Sequence, residues 1–144
     1  VKNGEFDLHN AFLGSLSSVN PAIRSNAKIA EIIVLQLAIS KSFNAIDSHT
    51  HLSANDQEYI SRVRMHVQEE CFKDLEELLL IVTSGKVEMK DDERLVRLDK
   101  IYQSMKDKSA FTQSFTGNVR TLIGQRKESE REAHTTKKLY GITQ

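Results

Sequence analysis

The sequence predicts an all-α, elongated bundle of three to four helices, at least one of them near 30 residues long. Proline occurs once and glycine six times in 144 residues, so few breaks interrupt the periodic segments. Apolar residues recur every three or four positions over long windows, and no alternating run of useful strand length competes with them. The apolar fraction of 39% and charged fraction of 28% exclude both a membrane bundle and a disordered chain. The length suits one helical domain over residues 1–144, with 1–19 an irregular lead-in and 126–144 a polar helical extension.

In the lead-in, Gly4, Gly14 and Ser15-Leu16-Ser17-Ser18 mix with scattered Phe6, Leu8, Phe12, Leu13 and Leu16. The first firm helix is expected from Asn20-Pro21, because asparagine accepts first-turn amide hydrogens and proline at the first position loses no needed bond. It runs to about Ile46. Ile29, Ile32, Ile33, Val34, Leu35, Leu37, Ile39 and Phe43 cover most of its circumference, which predicts a central position in the bundle. Asp47 to Leu52 reads as a loop, and Ser53 with Asp56 resembles a capping box.

A long amphipathic helix follows, carried by Ile60, Val63, Val67, Cys71, Leu75, Leu78, Leu79 and Val82. It is expected to end at Ser84-Gly85, with Gly85 in the left-handed cap conformation. A third helix starts at Asp91 or Asp92 as cap, and Leu95, Leu98, Ile101, Tyr102 and Met105 are its expected buried face. The pattern hesitates around Lys106 to Ser109. It resumes as Phe111, Phe115, Val119, Leu122 and Ile123 on a fourth segment that is nearly continuous with the third. Gly117 and Gly124 there are candidates for close helix contact or bending. After Ile123 the stripe lapses, because Arg126, Glu130, Ala133 and Lys137 stand where core residues were due. This stretch either projects into solvent or binds something.

Charge and composition narrow the function classes. Twenty basic residues balance twenty acidic ones, so no direct nucleic-acid partner is expected. The single cysteine allows no intramolecular disulfide. The most apolar run, Ile29 to Ile39, is interrupted by Glu31 and Gln36 and covers about half of a bilayer crossing, so no membrane span is expected. Val1 to His9 lacks a basic region followed by an apolar stretch. The expected location is the periplasm or cell surface if a signal peptide was removed, and the cytoplasm otherwise.

No constellation for catalysis or for a cofactor emerges. His49-Thr50-His51 could offer two imidazoles to a metal on a strand, but it lies in a loop. His66 with Glu69 and Glu70 lacks the second copy that a carboxylate-bridged centre needs. Cys71 sits on the apolar stripe with Glu69, Glu70 and Asp74 nearby, a setting for a small buried hydrophobe and not for a nucleophile. The acidic start at Asp91-Asp92-Glu93 is explained by the positive end of a helix. Between Arg120 and Lys138 six basic residues (Arg120, Arg126, Lys127, Arg131, Lys137, Lys138) face three acidic ones (Glu128, Glu130, Glu132), which favours a solvated helix with internal ion pairs.

The second half resembles a known family. Val82-Thr83-Ser84-Gly85-Lys86-Val87-Glu88-Met89-Lys90-Asp91-Asp92-Glu93-Arg94 is followed by Leu98-Asp99-Lys100-Ile101-Tyr102 and closed by Leu139-Tyr140-Gly141. This pattern resembles the TraI-like proteins of Bacteroidetes conjugative transposons, related to TrbJ-type minor-pilus components of type IV secretion systems. The resemblance spans about residues 75 to 141. It implies an exported helical protein without enzymatic activity, assembling with other subunits of a transfer apparatus, with self-association as a further option. It also implies structural roles for Gly85, Met89 and Tyr102. Residues expected to meet a partner are Arg126, Arg131, Lys137, Lys138, Leu139 and Tyr140. The alternative is a cytosolic helical adaptor or regulator binding a protein or nucleic acid. A weaker reading is a metal-dependent helical enzyme around His49, His51 and His66.

Overall fold

A computed structural model describes residues 26–46, 50–85 and 88–141. It holds three helices: α1 (Ala27–Ile46), α2 (Ala54–Thr83) and α3 (Asp91–Leu139). The fold is an elongated all-α bundle, as the periodicity predicts. At about 1.5 Å per residue, the 30 residues of α2 reach roughly 45 Å and the 49 of α3 roughly 73 Å.

The two expected C-terminal segments are one unbroken helix. Its buried residues run Leu98, Ile101, Met105, Ser109, Thr112, Thr116, Val119 and Ile123, spaced three or four apart throughout. The stripe therefore does not hesitate at Lys106 to Ser109. It passes through small hydroxyl residues, which a hydrophobicity pattern misses. Leu95 and Phe111, expected on the buried face, are exposed because they sit one step off this line. Gly117 and Gly124 have no neighbouring atom within 4 Å of where a Cβ would stand, so neither marks a close contact.

The spine of the bundle is α3 and not the first helix. It packs against both partners, whereas α1 and α2 meet only along an edge. The Asn44 side chain accepts from Arg64 across that edge at 2.5 Å. α1 lies parallel to α3: Lys28 pairs with Asp99 at 2.5 Å near one end, and Phe43 meets Phe115 at 6.1 Å near the other. α2 runs antiparallel to α3, with Glu77 opposite Arg97, Cys71 opposite Met105 and Asp56 opposite Arg126. α1 buries Ile29, Ile32, Gln36, Ile39, Phe43 and Ile46. Its other side leaves Val34 64% and Leu37 50% exposed, which corrects the expected central placement. The expected start at Asn20-Pro21 lies outside the described residues.

Length and composition alone put α1 within the range of a bilayer crossing, at a mean hydropathy of 1.5, although no crossing was expected. Core helices of bundles and signal sequences near an N-terminus share this signature.

The α2–α3 connection is built on one side chain. The carbonyls of a helix's last turn lack partners within the helix and carry partial negative charge. Arg94 is buried beside the end of α2, and its guanidinium donates to the carbonyl oxygens of Ile81, Ser84, Gly85 (2.9 Å) and Met89 (3.1 Å). Its planar fork of donors fits several carbonyls at once. Asp91 lies 3.7 Å from its Nε. Gly85 does not take the left-handed conformation, and the residue after Thr83 is an extended Ser84. Gly85 instead donates its N–H to Glu88 Oε2 at 3.0 Å, while its carbonyl accepts from Met89 at 3.0 Å. The N-cap of α3 is Lys90, with no side-chain bond, so neither Asp91 nor Asp92 caps it. The positive φ appears at Gly141 (68°), where α3 ends.

Candidate functional site

The distinctive surface begins where α3 leaves the bundle. Its last core contact is Ile123, and Arg126 is half-buried beyond it. The node there grows from the start of α2. Ser53 accepts from the Asp56 N–H at 3.1 Å, and Asp56 accepts from the Ser53 N–H at 3.0 Å, which is the expected capping box with aspartate in place of glutamate. The same carboxylate pairs with Arg126, which also donates to the His51 carbonyl at 3.0 Å. One turn further, Glu130 meets His51 Nε2 at 3.0 Å. Arg126 is thus engaged within the chain, holding α3 to the head of α2, and does not belong to the free face where it was expected.

The Arg126 guanidinium, with the Ser53 hydroxyl and N–H behind it, holds the Asp56 carboxyl below the usual aspartate range. A depressed folded value means that this pair contributes stability above the ordinary aspartate range and loses it as pH falls through the depressed value. Thermal unfolding followed over acidic pH is therefore expected to show a steeper loss in the natural chain than in Arg126→Gln. Equal pH profiles for the two would contradict this role.

From residue 127 to 141 every residue is exposed. The helical part, residues 127 to 139, is roughly 20 Å long, and its first turns pass His51 before it leaves the body. Leu139 and Tyr140 stand at the end, 76% and 73% exposed. Lys137 and Lys138 occupy the last turn, the negative end of the helix, where cations are favoured. Arg131 pairs with Glu128 at 2.5 Å, the single internal ion pair among the described residues of this projection, so the expected lacing of charges is sparse. Where the projection leaves the body, His51, Lys127, Arg131 and His134 line a shallow hollow of about 500 Å³. Ile142, which was expected to extend the apolar end, lies outside the described residues.

The three residues given structural roles are placed as follows. Met89 is buried in the α2–α3 connection, and Gly85 supplies it with backbone bonds. Tyr102 is half-buried on α3, with Lys28 and Lys106 ammonium groups 5.9 Å and 4.5 Å from its ring centre. The Glu31 carboxylate hydrogen-bonded to its hydroxyl, together with burial, pushes the phenol above its usual range. Tyr102 therefore fastens α1 to α3. The structural residue that sequence reasoning missed is Arg94, whose only signal is a basic residue one turn inside an acidic helix start.

Among the described residues no three His, Cys, Asp or Glu side chains converge on a point that could hold a metal. His66 is exposed on α2, His51 faces Glu130, and His49 lies outside the described residues. Cys71 is buried, with Sγ 3.9 Å from Met105 Sδ. No family model, curated protein or solved structure matches this chain.

Proposed function

We propose that the chain is a non-enzymatic structural component of a conjugative type IV secretion apparatus, acting through protein–protein contacts. The observation that carries this reading is the fully exposed run of α3 beyond Arg126, about 20 Å of helix that adds no buried residue to the core. A helix without tertiary packing gains little from burial, since most helical stability in proteins comes from an apolar face against neighbours. Its retention as ordered structure makes sense if a partner supplies the missing surface. The resemblance of residues 75 to 141 to TraI-like transfer proteins supplies the kind of assembly. The neutral charge balance supports a protein partner over DNA.

The test is a chain ending at Arg126, expressed in place of the full one in a mating assay. Loss of transfer with a folded, soluble product is expected. Transfer at the natural level from that shortened chain would contradict the reading.

A further inference from the structure

Lys127, Arg131, His134 and Lys138 follow one another at i, i+4, i+7 and i+11 on the projecting part of α3. At about 100° per residue they share an arc of roughly 60° and run about 16 Å along the helix. Glu130 lies about 40° to one side of this arc, where it meets His51, Glu128 lies about 60° to the other side, and Glu132 is farther round the helix. The stripe itself therefore carries no carboxylate. Lys127, His134 and Lys138 form no ion pair among the described residues, and Arg131 alone is held, by Glu128 at 2.5 Å.

We propose that this stripe docks an acidic helix of a partner protein, one that presents carboxylates at the same alternating spacing of three and four residues. The proposal rests on the assembly reading above and names the chemistry of the partner. A single narrow line of cations matches one helix edge, because opposite charges at that spacing meet one to one along two adjacent helices. Duplex DNA fits less well: Glu130 and Glu128, on either side of the stripe, would approach its phosphates, and no aromatic residue is interleaved between Arg120 and Lys138. A second copy of this chain placed stripe against stripe would set like charges together, with no apolar seam to offset them.

The test uses the full chain and three labelled probes. The first is a helical peptide of about 18 residues with glutamates at i, i+4, i+7 and i+11. The second has the same composition with its glutamates spread around the helix, and the third is a DNA duplex of about 20 base pairs. The proposal expects salt-sensitive binding of the first peptide, about tenfold weaker for the second and about tenfold weaker for Lys127→Glu/Arg131→Glu/Lys138→Glu, whose thermal midpoint is unchanged. Equal binding of both peptides, failure of the first to bind, or preference for the duplex would overturn it. In the mating assay, normal transfer by the triple variant beside loss of transfer by the chain ending at Arg126 would reject the acidic partner and leave the assembly reading standing. Normal transfer by both would reject the assembly reading itself.

Discussion

Replacing Arg94 with alanine is expected to destabilise the bundle by about 3 kcal/mol, a fall in thermal midpoint on the order of 10 °C. The reason is local. Four carbonyls at the end of α2 and in the α2–α3 connection share one guanidinium, and the site is buried. Alanine would remove the donor from the Ile81, Ser84 and Met89 oxygens where water enters poorly, while Gly85 keeps its bond from Met89, and an unpaired buried acceptor costs more than a surface bond contributes. Arg94→Lys is expected to recover only part of the loss, because an ammonium is a compact point donor and cannot span the same set of carbonyls. Denaturant unfolding of both variants checks this. An Arg94→Ala chain as stable as the natural one would mean that the α2–α3 corner holds without its buried cation.

Phe43→Ala should have a comparable effect, a loss of about 3 to 4 kcal/mol. Phe43 is among the largest fully buried side chains, and its ring lies 6.1 Å from Phe115 at 41°. Phe115 in turn meets Tyr59 of α2 at 6.0 Å, so the pair joins all three helices at one level. Removing Phe43 leaves a cavity where α1, α2 and α3 converge, and a close-packed interior relaxes only partly around such a gap. Phe111 is the control. It stacks on Phe115 at 5.9 Å but remains exposed, so Phe111→Ala is expected to cost about 1 kcal/mol or less. Equal losses for the two phenylalanines would contradict this division between core and surface.

These contrasts also mark what periodicity could and could not reveal. The helix α2 was legible almost residue by residue, because its apolar spacing and its Ser53–Asp56 box are both local signals. The all-α class, the elongation and the lapse of the stripe after Ile123 were legible for the same reason. The centre of the bundle was not. α1 is the more apolar helix and was expected inside, yet α3 holds that place with Ser109, Thr112 and Thr116 buried along its stripe. Small hydroxyl side chains pack closely while scoring as polar, so their burial is decided by neighbours that a single sequence does not display. The Arg94 corner was hidden for a related reason: its meaning depends on carbonyls 5 to 13 positions away. Of the residues expected to meet a partner, Arg131, Lys137, Lys138, Leu139 and Tyr140 lie on the exposed projection, and Arg126 alone turns back into the bundle.

If α3 beyond Arg126 is surplus to folding and available for contact, the bundle stands without it. Thermal unfolding of the chain ending at Arg126, beside the full chain, tests this most directly. Midpoints within about 2 °C of each other are expected, since no described residue past 126 contributes a buried apolar side chain to the core. A midpoint lowered by about 10 °C or more would place those residues in the fold and contradict the claim.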